Sequence, residues 1–469
     1  MSISKTRREE DQRAKPNILI IYPDQMRADA MGCAGNPIVC TPNIDRIARE
    51  GVRFENAYTS YPLCAPFRAS FFTGKYAHSS GVYANHYPIP LDQEFLAEIF
   101  RNNYYQTGYF GKWHLNGGEI PGFVPAGERR LGFDTMIGFN RGHHYLSSIY
   151  FKDTSQPFSS NRYEPEYQTD QVISFLEACV DGSQDGPFFA MVNYGIPHPP
   201  LVGPDEYLKK YSPENIVIPT NVPGDENSNG KARTFLARYY GLITCVDDNV
   251  GRLLDWLDRK QLTESTVVIF LSDHGEMAGE HGRFAKKTYY RSAMHVPLMV
   301  RYPERFPPGN IVNSLVDPSI DTMPTLLDLC GFNIPATVQG NSYLSLLVGD
   351  RRPLREAVFY EILMERDGPE NFPVPERGIR TTDWLYVRTQ EKPIALFDLN
   401  SDPMEMNNLV GKNDYQETIN YFDQMLVDHM LATEDNWKIE AVFPPQEYMS
   451  YEEGDRNISK LIKLATLEQ

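Results

Sequence analysis

The chain is poor in cysteine, has no long apolar run and carries no excess of positive charge, and each lack removes a class of protein. Its six cysteines, Cys33, Cys40, Cys64, Cys179, Cys245 and Cys330, are spread over 469 residues without metal-type pairing. That spacing argues against a disulfide scaffold and suits a reducing compartment, with the one close pair, Cys33 and Cys40, expected to stay reduced. No apolar stretch approaches the roughly 20 residues of a membrane span; the longest, 17–22 and 267–271, are strand-sized. Residues 1–16 contain basic side chains but run into Glu9, Glu10 and Asp11 without an apolar core, so no secretion signal is read and a cytoplasmic protein is expected. The formal net charge of -17 repels nucleic acid and anionic membranes, and neither is expected as a partner. An anionic ligand would need a locally basic pocket.

What is present is enough for two cores. With 41% hydrophobic residues the chain exceeds the size at which one core keeps growing, so a large domain and a smaller one are expected. Short apolar runs alternate with longer amphipathic segments, which predicts an α/β fold with a mostly parallel or mixed sheet flanked by helices. Helical spacing of apolar residues from Arg233 to Lys260 predicts one long helix or two, and the Pro, Gly, Asn and Asp between Pro204 and Gly230 predict a surface loop. Near Gly349 to Pro353 the pattern changes. Beyond it Ala357–Tyr360, Trp384–Val387 and Ala395–Asp398 read as strands of a small antiparallel sheet, followed by a helix near Tyr415 to Leu431. The expected division is therefore an N-terminal extension 1–16, a catalytic domain 17–350 and a smaller α+β C-terminal domain 351–469.

Four apolar runs deliver polar residues at their ends. Ile18–Tyr22 leads to Asp24 and Gln25, Thr107–Phe110 to Lys112 and His114, Phe188–Asn193 to His198, and Val267–Leu271 to Asp273 and His274. In open α/β sheets ligands bind beyond the carboxyl ends of the strands, so these ends can build one site. Asp24, Asp273 and His274, with Gln25 adding a neutral oxygen, offer oxygen-rich ligation suited to calcium, magnesium or manganese. Lys112, His114, His198 and Lys286 supply the positive charge that an anionic ligand needs. Cys64, in Leu63-Cys64-Ala65-Pro66-Phe67-Arg68, precedes a proline able to occupy a first helical turn; it then lies at the positive end of a helix beside Arg68, a setting for a reactive thiol. His78, His281 and His295 are read as structural and Lys287 as a surface charge. Asn85-His86-Tyr87 and Phe139 to Tyr145 carry polar and aromatic groups suited to a carbohydrate, with His86, Arg141, His143 and His144 as candidate substrate contacts.

These stretches resemble, in order and content, the sulfatase family. The shared features are Asp24-Gln25 after the first strand, where the family pattern has an acidic metal-binding pair, Cys-x-Pro-x-Arg closed by Thr73-Gly74, Gly111-Lys112-Trp113-His114, Pro197-His198-Pro199, Asp273-His274-Gly275 followed by Lys286, and Leu396 to Glu405. The resemblance runs from about Asn17 to Leu409. It implies an alkaline-phosphatase-like fold, a sulfate ester hydrolase, one divalent metal with calcium favoured over manganese or magnesium, and oxidation of Cys64 to formylglycine by a maturation enzyme. It further implies that Asp24, Gln25, Asp273 and His274 hold the metal with residue 64. Arg68 and Lys112 would hold the aldehyde hydrate, whose hydroxyl attacks sulfur. His198 would protonate the leaving oxygen, Lys286 would stabilise the transferring group, and His114 would be the base that re-forms the aldehyde. Two departures stand out: Phe67 where many members have serine, and Gln25 where many have a second aspartate. Related phosphonate monoester and phosphodiester hydrolases share the Asp-Gln and Asp-His pattern and are the alternative activity; a small sulfated sugar is the expected substrate.

Overall fold

Side chains from Asn17 to Val316 explain the large sheet of this computed structural model, which describes residues 15–182, 186–363 and 374–437, with 453–454, 456–458 and 461. The expected extension 1–16 lies outside the described residues except at 15 and 16, as does most of the chain after 437. Strands β1 (Asn17–Asp24), β2 (Val52–Ala57), β3 (Gln106–Lys112), β4 (Thr135–Phe139), β7 (Phe188–Pro197), β8 (Thr266–Leu271), β9 (Leu298–Arg301) and β10 (Asn310–Val316) form one sheet in the order β10-β2-β9-β8-β1-β7-β3-β4. Strands β5 (Ile149–Tyr150) and β6 (Phe158–Ser159) form a separate two-stranded ribbon. Within the eight-stranded sheet only β9 runs against its neighbours, and the other pairs are parallel.

The central strands read as apolar runs because both faces of the sheet are covered. All six residues of β8 and all ten of β7 are buried. Alternate residues of β1 feed different cores: Ile18, Ile20 and Tyr22 pack with the helices Cys64–Thr73, Leu96–Asn102 and Pro318–Leu329 on one face. Leu19 and Ile21 pack with Pro42–Glu50, Glu164–Asp181 and Glu226–Arg259 on the other. The last is a single helix of 34 residues. It begins inside the stretch expected to be loop, because Asp225 accepts from the Ser228 backbone N–H and caps its first turn.

A second sheet is an antiparallel meander of β11 (Val358–Ile362), β12 (Glu376–Arg380), β13 (Trp384–Thr389) and β14 (Pro393–Asp398). One face carries Ile379, Tyr386 and Leu396 against Ile419, Phe422 and Leu426 of the helix Gln416–Ala432. The other packs Val358, Tyr360, Leu385 and Phe397 on Tyr58, Tyr61 and Leu63 of the main domain. This C-terminal domain thus buttresses the segment that leads directly into Cys64. Strand β12, which carries the charged residues Glu376, Arg377 and Arg380, was not among the expected strands.

Candidate active site

Strands β8, β1, β7 and β3 are consecutive in the sheet and parallel, so their carboxyl ends share one edge. Ile21 pairs with Phe270, which brings Asp24 and Asp273, three residues beyond each, level with one another. Gly111 pairs with Asn193 and Asp24 with Pro197, which brings Lys112 and His198 to the same edge. The helix Cys64–Thr73 starts with Cys64 itself, Leu63 being the extended residue before it, and all ten of its residues are buried. Its first turn meets the sheet edge.

Asp24, Cys64, Asp273 and His274 have one donor atom each within 4.8 Å of one another, and all four residues are buried. The Cys64 Sγ lies 3.2 Å from His274 Nε2 and 3.8 Å from Asp24 Oδ1. The second Asp24 oxygen, Oδ2, accepts from Lys112 Nζ at 2.7 Å and from Arg68 at 3.2 Å. Asp273 uses Oδ1 to accept from the backbone N–H groups of Gln25, at 2.9 Å, and His274, at 3.0 Å. Its Oδ2 is buried and accepts no hydrogen bond. The His274 Nδ1 faces the Gly275 carbonyl at 3.1 Å, so in the neutral ring the proton sits on Nδ1 and the Nε2 lone pair turns to the cluster. Two carboxylates, an imidazole nitrogen and side chain 64 therefore suit a divalent cation with hard oxygen ligands.

The surrounding charges set the ionisation of the group. Burial alone would raise the Asp24 carboxyl, but the cations Lys112 and Arg68 hold it well below the usual carboxylate range. Burial and Asp24 push the Cys64 thiol up, while Lys112, Lys286 and His274 pull it below its ordinary value. His114 is kept neutral by burial and by Lys112, Arg141 and Arg68, and neither ring nitrogen has a hydrogen-bond partner. His198 is likewise kept neutral by burial and Lys286. Its Nε2 lies 2.8 Å from Lys286 Nζ, and its Nδ1 contacts the Pro199 carbonyl. The shared proton of the Lys286 contact therefore sits on the ammonium.

Two expected contacts take a different form. Arg68 makes no hydrogen bond to residue 64: it binds Asp24, Asn193 Oδ1 at 2.9 Å and the Lys112 carbonyl at 2.6 Å, with its guanidinium 4.8 Å over the Tyr22 ring. Its two terminal nitrogens thereby tie together the ends of three strands. The Gln25 side chain accepts from Lys286 and donates to Glu276, so its oxygen is shared with a cation. Phe67, the other departure, points into the core beside Tyr22, with ring centroids 5.8 Å apart.

A cleft of about 760 Å³ opens above the cluster, with His143, His144, His198 and Lys286 on its wall. His143 stacks on His198 with centroids 3.8 Å apart. The other two proposed contacts are not on that wall. Arg141 is buried and donates to the Gly118 carbonyl at 2.9 Å, and His86 packs on Tyr87 while its neighbour Asn85 reaches the cleft. Lys287, expected at the surface, lines the cleft. The expectations did not include Glu276, whose carboxylate accepts from Gln25 and from the backbone N–H groups of Ala278 and Ala285. It ties the first strand end to the loop bearing Lys286, and its place directly after Asp-His-Gly was the only sequence signal for it.

Comparison with known proteins agrees with this geometry. The sulfatase family model matches residues 16–332, and the model described as the C-terminal part of N-sulphoglucosamine sulphohydrolase matches 279–431. An ulvan-active sulfatase of Formosa agariphila is 35% identical over 92% of this chain and 84% of its own. The solved structure of a Bacteroides fragilis protein named as a sulfatase superimposes with TM-score 0.83 at 29% identity, over 91% of this chain and 97% of that one. Another, solved in complex with its substrate D-glucosamine-2-N,6-O-disulfate, gives 0.78 at 25% identity, over 90% and 99%. The phosphonate monoester hydrolase of Agrobacterium radiobacter shares the fold, with TM-score 0.75 at 23% identity over 92% and 98%. The chain belongs to the sulfatase family of the alkaline phosphatase superfamily and is a sulfuric ester hydrolase.

Proposed function

We propose that the chain hydrolyses the sulfate ester of a sulfated sugar, using a formylglycine made from Cys64 and one divalent cation, with calcium ahead of manganese or magnesium. Asp24, Asp273, His274 and side chain 64 would hold the cation, with Gln25 contributing its amide oxygen. The hydrated aldehyde supplies the hydroxyl that displaces the ester oxygen at sulfur, and the cation supplies charge for the sulfate oxygens. The observation that carries the reading is the convergence of Cys64 with Asp24, Asp273 and His274 at the edge of four parallel strands.

The chain's own groups do the rest. Lys112, at 2.7 Å, and Arg68 keep Asp24 ionised against its burial. Lys286 presents an ammonium to the transferring sulfuryl group, and the Lys286–His198 pair delivers a proton to the departing sugar oxygen. His114, neutral and with both nitrogens unbonded, accepts the proton of the remaining hydroxyl on residue 64, which releases inorganic sulfate. Acid and base are thus separate side chains. A sugar substrate is supported by the glucosamine disulfate bound in the relative and by the polar cleft wall of Asn85, His143, His144 and Lys287. A formylglycine-generating enzyme is the required partner in maturation.

A panel of matched sulfate and phosphate esters tests the activity. Sulfated sugars are expected to turn over fastest. Faster turnover of a phosphate diester or phosphonate monoester would replace this reading with the related hydrolase activity. Chelation is expected to abolish turnover and lower the melting temperature, with calcium restoring both.

A further inference from the structure

The cleft above Cys64 does not stop at Lys286. A second groove of about 790 Å³ meets it at Pro199 and is reached along the loop from Lys286 through Ala285 to Phe284. Its floor has an aromatic pair, Phe235 and Phe284, with ring centroids 5.3 Å apart at 60°, and Phe284 is 42% exposed. Lys231 and Arg238 stand on its rim, exposed and seven residues, about two helical turns, apart on the helix Glu226–Arg259. Among the described residues neither makes an ion pair, although the protein as a whole carries a net charge of -17. One carboxylate, Glu226, also lines the groove.

Resting on the proposed sulfated-sugar hydrolysis, we infer that this second groove is a subsite for the neighbouring unit of the substrate, a sugar bearing its own carboxylate or sulfate. The exposed face of Phe284 suits the apolar C–H face of a pyranose ring, which gains from leaving water. The unpaired cations of Lys231 and Arg238 complement the anionic group on that ring. Continuity with the catalytic cleft fixes the occupant: a ligand here is joined to the one whose sulfate reaches Cys64. The substrate is accordingly an anionic oligosaccharide of at least two units, not an isolated monosaccharide or a neutral chain.

The test uses two disaccharides with the same reactive sulfate, one with a carboxylate on the second unit and one neutral there, alongside 4-nitrophenyl sulfate. For formylglycine-containing wild-type enzyme at low salt, kcat/KM is expected to favour the charged disaccharide by roughly fivefold, carried by KM, because two exposed ion pairs contribute modestly. The preference should fall towards one in Lys231→Ala/Arg238→Ala and at high salt, and Phe284→Ala should lower kcat/KM for both disaccharides relative to 4-nitrophenyl sulfate. Equal use of the two disaccharides by wild type, or a preference that survives the double substitution, would overturn the subsite while leaving sulfate hydrolysis standing. Failure of wild type to hydrolyse any of the three sulfates would overturn the proposed function and the subsite with it.

Discussion

At the scale of single residues, Asp24 is the joint on which the site turns. One of its oxygens faces side chain 64 and the other takes Lys112 at 2.7 Å and Arg68 at 3.2 Å, all in a buried setting. Removing one partner of such a pair leaves charge without compensation and costs about 3–5 kcal/mol. Lys112→Met is therefore expected to lower kcat by at least roughly 100-fold, to weaken calcium binding measured by calorimetry, and to lower the melting temperature. Retention of full metal affinity and activity would show that Lys112 only fills space. The residue types of this cluster were legible from the sequence because each follows a strand. The directions of the side chains were not. Arg68 reaches sideways to three strand ends, Gln25 is shared between Lys286 and Glu276, and Arg141 donates to a loop carbonyl, because loop backbone geometry, including φ of +66° at Gln25 and +62° at His114, decides where a side chain points.

At the scale of elements, the site depends on how closely chain segments approach behind it. A Cβ on Gly275 would lie 1.9 Å from the Ser292 carbonyl oxygen, and one on Gly111 would lie 2.2 Å from that of Asn193. Gly275→Ala must therefore push apart the β8 end and the segment Arg291–Met294, shifting His274. The expected result is loss of metal binding and of most activity in a protein whose far-ultraviolet circular dichroism is nearly unchanged; wild-type metal affinity would refute the placement. The helix Cys64–Thr73 makes a second prediction. On the formylglycine proposal, and because all ten residues of the helix are buried, a maturation enzyme would have to meet Cys64 before the chain folds. Chain produced without maturation and folded should resist conversion when the maturation enzyme is added, whereas the same chain unfolded in denaturant should be converted. Conversion at equal rate in both would contradict the burial. Strand β12 shows why elements escaped the sequence reading: its Glu376, Arg377 and Arg380 bond to Tyr360, Asp435 and Glu405, so charged residues sit where an apolar alternation would otherwise mark a strand.

At the scale of the whole molecule, a buried carboxyl sets a pH dependence. Asp317 caps the helix Pro318–Leu329; burial, with Asp321 nearby, pushes its carboxyl up to about 7. The folded state therefore holds a proton that the unfolded chain has lost above its ordinary carboxylate range. Stability from this group falls as pH rises from about 4 to 7, at about 1.4 kcal/mol for each unit of displacement. Asp317→Asn keeps the cap and removes the titration. Its melting temperature relative to wild type should be higher at pH 8 than at pH 5, and a constant difference would reject the shifted carboxyl. The packing of helices on both faces of the sheet and the shared sheet edge were legible in the alternation of apolar runs and helices, whereas the way the C-terminal sheet supports Tyr61 and Leu63 was not, since it joins residues about 300 positions apart. The most direct test of the account is the intact mass of the active enzyme set against its turnover. Molecules in which the Cys64 side chain CH2SH has become CHO are predicted to account for all activity, with turnover rising in proportion to their fraction. Full turnover from a preparation whose mass is that of the unmodified thiol would contradict it.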